Sequence, residues 1–410
     1  MEQRVVFGAS GGRAAGLGHV RRCLSLAGAL TRRGAACRFL IDGVKDVGDW
    51  VAAAGYPAVS FSPSGVLVPS LEGMVEGWSA TVIVVDSYDV PTKGFRTLLA
   101  TGATVVAIDD LADRELPVHL VVNGGVGAER LDYRGLPATR YLLGPAYALL
   151  RPEFAAEPAR EFAGAVRRVF VAAGGSDPLG LLPRLVGWAH KALPEAGIDV
   201  LASPLVAEGL VERLAGVESR PEGRTNAGED GPALAKIQES DRDGPGTRLR
   251  ARGRDESRPY TGQGRSKQRP YMAGGPGGDD GADAGWVVIH RDPPDVRGLM
   301  LGADVALCAG GQTTYELAAT GTPAIAVQVA ANQAGNLRGL EAAGALVWAG
   351  SVEDADLGDR VMAALAALAG DGARRAAMSR AGRALVDGKG IERVAEALLA
   401  RAGALQACRE

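Results

Sequence analysis

Short runs of β-branched and aliphatic residues alternate along the chain with stretches in which apolar positions recur every three to four residues. The first pattern suits strands buried on both faces, and the second suits helices that cover them. Their alternation predicts repeated βαβ units and parallel sheets. In the first half, strands are expected at residues 4–9, 37–42, 81–86, 104–109 and 119–123, with helices between them, including 20–33 and 91–100. Proline and glycine punctuation over 143–154 reads as a linker. The pattern then restarts with a strand at 169–173, a helix at 179–193 and a strand at 198–202. After an interruption come strands at 286–290, 303–308 and 324–328, and the C-terminal third reads as helical. Two Rossmann-like α/β domains follow, an N-terminal one over 1–150 and a C-terminal one over 151–410.

The interruption, 218–285, is rich in Gly, Arg, Asp, Pro and Ser and has almost no aliphatic clusters. Such a composition buries too little apolar surface to offset chain entropy, so it is expected to lack stable order. It reads as an insertion extruded from a loop of the second domain, or alternatively as a basic arm over 248–269.

Composition narrows the class. A chain of 410 residues with 47% hydrophobic residues is long enough for two substantial cores. A formal net charge of −3 argues against a broad nucleic-acid surface. The four cysteines (Cys23, Cys37, Cys308 and Cys408) show no CxxC spacing and read as reduced thiols. The chain enters its first strand without a signal-peptide pattern, and no apolar run approaches the roughly 20 residues needed to span a bilayer. A cytoplasmic protein is expected, plausibly monomeric.

Candidate chemistry begins where the first strand ends. Gly16-Leu-Gly18-His19 places an imidazole at the junction of a strand and an amphipathic helix, where N–H groups and the helix dipole favour an anion. His19 there can act as a base, or it can cap the helix or hold phosphate without proton transfer. Asp86, Asp109 and Asp110 fall at strand ends facing the same cleft. One of them could orient His19 or assist as a base, or each could form a turn or cap a helix. Tyr88 could touch a sugar, and Arg22 and Arg114 could pair with phosphate or with these carboxylates. In the second half, Gly174-Gly175-Ser176 forms a further glycine turn, and strand 303–308 runs into Gly310-Gly311-Gln312-Thr313-Thr314-Tyr-Glu316. Its glycines and helix-terminal N–H groups suit a diphosphate. Glu316 could accept from a ribose diol or simply favour the helix dipole. Asn332 and Gln333, after the next strand, could read sugar hydroxyls, with helix capping the alternative for Asn332. His119, His190 and His290 read as structural. No Asp-x-Asp pair sits where a metal-dependent sugar transferase needs one, so no metal or other cofactor is expected.

Taken together, Gly16-Leu-Gly-His-Val-Arg-Arg22, Ile108-Asp-Asp-Leu-Ala-Asp-Arg114, the Leu-Leu-Arg-Pro-Glu-Phe run ending at Phe154, Gly174-Gly-Ser-Asp177 and Gly310–Glu316 resemble one family in order. This is the family of UDP-2,4-diacetamido-2,4,6-trideoxy-β-L-altropyranose hydrolases of pseudaminic acid biosynthesis, among the GT-B nucleotide-sugar enzymes. More distantly, the chain is similar to the transferase that adds N-acetylglucosamine in peptidoglycan lipid synthesis. The resemblance implies a GT-B fold with a cleft between its domains and a UDP-sugar substrate. It also implies His19 as the base that activates water for attack on the anomeric carbon. The alternative is a glycosyltransferase of the same fold, in which a sugar or lipid-linked hydroxyl replaces water. A third reading is a catalytically silent sugar-nucleotide binder.

Overall fold

A computed structural model describes residues 2–12, 16–61, 66–155, 160–162, 164–175, 177, 179–203, 206, 237–239 and 287–407. Among the described residues the strands are, in chain order, β1 Arg4–Gly11, β2 Ala36–Gly43, β3 Ala58–Phe61, β4 Val82–Asp86, β5 Thr104–Ile108, β6 Glu115–Leu116, β7 Leu120–Asn123, β8 Arg134–Gly135 and β9 Arg140–Leu143, then β10 Arg168–Ala172 and β11 Gly197–Ala202 of the next sheet. The remaining strands are β12 Ile237–Glu239, β13 Val287–Arg291, β14 Val305–Ala309, β15 Ala324–Gln328 and β16 Leu346–Ser351.

Two parallel seven-stranded sheets result, in the orders β3-β2-β1-β4-β5-β7-β9 and β12-β13-β11-β10-β14-β15-β16, while β6 and β8 pair separately. Each sheet is doubly wound, and each reverses its strand order beside its first strand, at β1/β4 and at β10/β14. Such reversals open a crevice beyond the carboxyl ends of the strands, where ligands of α/β proteins bind.

The strands are continuous apolar runs because both faces are covered. In the first sheet, Phe7, Phe39 and Ile41 pack under the helix Gly18–Thr31, and Ile83, Val85 and Val105 pack under the helices Leu67–Trp78 and Thr92–Ala100. The second sheet has the same two-sided cover.

The expected division at residue 150 does not hold at the C-terminal end. The last helix, Gly390–Ala407, buries Ile391, Val394, Ala395, Leu398 and Ala402 in the core of the first sheet. Its Glu392 also bridges Arg32 and Arg33, just past the end of the helix Gly18–Thr31, at 2.9 and 2.5 Å. The chain therefore crosses back, and its last helix belongs to the first domain. Within the segment expected to lack order, Ile237–Glu239 forms an edge strand parallel to β13, and the rest of 218–285 lies outside the described residues. The pattern missed β3, β9, β12 and β16, and the two-residue strands β6 and β8.

Candidate active site between the domains

The loop after β1 is closed by two backbone hydrogen bonds between Gly12 and Gly16, of 3.1 and 2.7 Å. Gly16 turns the chain with φ +71°, a conformation that costs a residue with a Cβ. The helix Gly18–Thr31 starts directly afterwards, and no side chain caps its first turn.

His19 lies in that turn and is 8% exposed. Because β1 and β4 are neighbours, with Ala9 opposite Asp86, the last residue of β4 arrives beside it. His19 Nδ1 is 2.6 Å from Asp86 Oδ1. One turn further along the helix, Arg22 donates from Nε to Asp86 Oδ2 at 2.6 Å and from a terminal nitrogen to Oδ1 at 2.7 Å. Its other terminal nitrogen reaches both oxygens of Asp110 at 3.0 and 2.8 Å. The Tyr88 hydroxyl donates to Asp110 Oδ2 at 2.8 Å, and its ring stands edge-on to the imidazole, with centroids 4.8 Å apart.

Electrostatics fix the roles. Burial alone would raise the Asp86 carboxyl, but Arg22 and His19 outweigh it and hold the group well below the usual carboxylate range. An ionised Asp86 only accepts hydrogen bonds, so the imidazole donates to it from Nδ1, which leaves Nε2 as the ring nitrogen not engaged with Asp86. Burial and the Asp110 charge push the Tyr88 hydroxyl up, so it remains a donor. Burial disfavours the Arg22 cation, but its two carboxylates more than restore it.

This cluster forms one wall of a cleft of ≈ 870 Å³. Gly18, His19, Arg22, Tyr88 and Asp110 face Gly310, Gly311, Gln312, Asn332 and Gln333 across it. Gln312 ties the walls together by donating to the Leu149 carbonyl at 2.9 Å, and the Gln333 side chain accepts from the Val329 amide at 2.9 Å. The helix Thr313–Thr320 also begins without a side-chain cap.

Other sequence-predicted residues are placed elsewhere. Asp86 stands behind His19 as its partner. Asp109 is buried instead as a turn former, accepting from the amides of Leu111 and Ala112 and lying 3.2 Å from Arg114. Gly174 turns with φ +91°. Gly175 packs against the Leu17 backbone, where an added Cβ would come within 2.9 Å of Leu17 N. The second glycine turn thus supports the first and is not among the cleft-lining residues. Ser176 lies outside the described residues. Thr313 is not among the cleft-lining residues, and the buried Thr314 donates its hydroxyl to the Gly311 carbonyl at 2.8 Å.

Glu316 faces a separate cavity of ≈ 1070 Å³, which it shares with Arg21, Trp50, Tyr56, Arg151 and Asp292. Burial raises its carboxyl, although Arg151 lies 3.7 Å away. Gln312 borders this cavity as well as the cleft. Of the remaining histidines, His119 accepts from the Val105 amide at 3.0 Å, His290 pairs with Asp199 at 2.8 Å, and His190 lies on the helix Leu181–Ala192.

Sequence reasoning missed Tyr315 and Asn336. The Tyr315 hydroxyl accepts from the Val126 amide at 2.9 Å and donates to Asn336 at 3.0 Å, joining the two domains at the wall of the cleft. Tyr315 sat inside the recognised segment, but an aromatic residue in a helix reads first as core.

No family model matches the chain, and no curated protein matches it. Solved structures do. MurG of Acinetobacter baumannii superposes with a TM-score of 0.55 at 13% identity, covering 97% of this chain and 99% of that one. The spinosyn rhamnosyltransferase SpnG, complexed with thymidine diphosphate, gives 0.54 at 14% identity with complete coverage of both chains. A putative UDP-N-acetylglucosamine 2-epimerase from Listeria monocytogenes gives 0.55 at 10% identity, covering 97% of this chain and 96% of that one. At these identities the likeness carries the fold alone: two Rossmann-like domains with a cleft between them, the GT-B arrangement. No helix among the described residues is long and apolar enough to cross a membrane.

Proposed function

We propose that the protein transfers a sugar from a nucleotide sugar to an acceptor hydroxyl, with His19 as the base. The observation that carries this reading is the buried His19–Asp86 pair, opening on a cleft that Gln312 joins to the cavity holding Glu316. A nucleotide sugar would span both spaces. Its ribose diol would meet Glu316, its diphosphate would lie over Gly310, Gly311 and the uncapped helix start at Thr313, and its sugar would lie at His19. Helix-terminal N–H groups stabilise the charge that develops on a departing diphosphate.

In the step itself, Nε2 of His19 takes the proton of the acceptor hydroxyl as that oxygen bonds to the anomeric carbon. The bond from that carbon to the diphosphate breaks, with inversion, and the nucleoside diphosphate carries away the electron pair. Asp86 stabilises the imidazolium that forms. UDP as the nucleotide comes from the motif resemblance. The rhamnosyltransferase with bound thymidine diphosphate and the putative UDP-N-acetylglucosamine 2-epimerase, both similar in fold, are consistent with a nucleotide-sugar ligand.

Hydrolysis is the second reading, with water in place of the acceptor, and it rests on the Gly16–Arg22 and Ile108–Arg114 motifs. Incubating purified protein with UDP-sugars, with and without candidate acceptors, and following UDP release and anomeric configuration by NMR tests both. Release that requires an acceptor and is lost in His19→Asn is the expected result. Rapid acceptor-free release establishes the hydrolase instead. UDP binding with neither reaction overturns the catalytic reading.

A further inference from the structure

Beyond Asp110 the cleft continues into a second space of ≈ 1200 Å³, and the two share Asp110, Gly125, Asn332 and Asn336. Two arginines line this alcove. Arg130 comes from the loop after β7 in the first domain, and Arg338 from the helix Ala334–Ala342 in the second. Both are exposed, and neither guanidinium has a hydrogen-bond or ion-pair partner among the described residues. Arg22, the arginine lining the cleft itself, is held by Asp86 and Asp110; nearby, Arg114 is held by Asp109 and Asp113, Arg151 by Glu153 and Glu316, and Arg21 lies over the Trp50 ring in the cavity of Glu316. The carboxylate lining the alcove, Asp110, is already taken by Arg22 and Tyr88. The neighbouring Glu129 turns away towards Gly144. Val126 and Leu131 add apolar wall, with Leu131 39% exposed.

We infer that this alcove is the acceptor subsite and that it selects an acceptor carrying an oxyanion, a phosphate or a carboxylate, which Arg130 and Arg338 clamp from opposite domains. This rests on the transferase reading above. Guanidinium forks suit either oxyanion and bind it by charge-assisted hydrogen bonds. An acceptor anchored there would extend its hydroxyl past Asp110 towards His19. The anion would also bridge the domains, coupling acceptor binding to the width of the cleft.

Calorimetric titration of UDP-saturated protein with glucose 6-phosphate, glucuronate and glucose tests the inference. At least one anionic sugar should bind about tenfold or more tighter than glucose, and the stronger of the two identifies phosphate or carboxylate as the group read. The double variant Arg130→Ala/Arg338→Ala should lose that advantage while its UDP affinity stays within about twofold, since neither residue lines the cavity of Glu316. Glucose binding as tightly as both anions, or anion binding undiminished in the double variant, overturns the inference. If UDP does not bind, the nucleotide-sugar reading fails by itself, and the same titrations on nucleotide-free protein still decide whether the arginines hold an anion.

Discussion

Each domain of this molecule carries a histidine, an aspartate and an arginine joined in one cluster. In the first domain, His19 and Arg22 share Asp86, with distances of 2.6 Å to each. In the second, His290 and Arg168 share Asp199, at 2.8 and 2.7 Å. The aspartates are both almost completely buried. Position separates the two. Asp86 is the last residue of β4, and His19 opens a helix at the switch point, so the imidazole borders the interdomain cleft. Asp199 lies in the middle of β11, and Arg168 is the first residue of β10, so that cluster is folded into the sheet face and does not line the cleft. The same residue types thus serve two ends: chemistry needs the carboxyl edge of the strands, whereas a sheet interior turns the same pairing into scaffolding.

The sharpest way to break this contrast is at His19. His19→Asn removes the base but keeps a side chain of similar polarity. Turnover of a UDP-sugar should fall by roughly 10²–10⁴-fold, while the Kd for UDP should change less than about twofold. A variant that turns over normally would make the first cluster as structural as the second.

Asp86→Asn comes next. The amide no longer demands a proton on Nδ1, and Arg22 loses a charged partner in a buried site, so turnover should drop by about 10²-fold or more. The variant also has a pH signature. The folded Asp86 carboxyl is held below its unfolded value, so its pairing stabilises the protein fully above about pH 4 and is lost as pH falls below that. Thermal unfolding of the wild type should therefore weaken more steeply between about pH 4 and pH 2 than that of the variant. Parallel curves would show that the carboxylate carries no such linkage.

Glu316→Gln probes the other end of the proposed ligand. Losing the carboxylate should weaken UDP binding by about tenfold and leave the turnover of bound donor nearly unchanged, because Glu316 borders a different cavity from His19. A fall in turnover with unchanged affinity would place the reacting sugar, and not the ribose, at Glu316.

Much of this arrangement was legible in the sequence, for reasons that also explain what was not. Strands buried on both faces announce themselves as apolar runs, and a glycine turn before an amphipathic helix marks the strand-to-helix junction that holds His19. Which of Asp86, Asp109 and Asp110 serves His19 was not legible, because all three fall at strand ends and only sheet order brings Asp86 beside β1. Glu316 sits one turn into its helix, and its spacing says nothing about which cavity that turn faces. The last helix shows its apolar stripe at Ile391, Val394, Ala395 and Leu398, but periodicity does not reveal that the stripe packs on the first sheet. Arg130 and Arg338 are separated by about half of the chain, and folding alone brings them to one alcove.

The smallest effect is expected from His290→Gln, and it tests the scaffolding half of the contrast. Asp199 retains two hydrogen bonds from Arg168, at 3.1 and 2.7 Å, so removing the imidazole does not leave a buried charge unpaired. The loss amounts to about one hydrogen bond to a carboxylate, roughly 1–2 kcal/mol of stability, and glutamine can restore part of it from its amide. Turnover and UDP affinity should both stay within about twofold, because His290, Asp199 and Arg168 line neither the cleft nor the cavity of Glu316. Melting curves and UDP-release rates measured side by side with His19→Asn give the comparison directly. If His290→Gln loses turnover while keeping its melting temperature, the second cluster is coupled to the reaction, and burial in a sheet face no longer separates scaffold from chemistry in this protein.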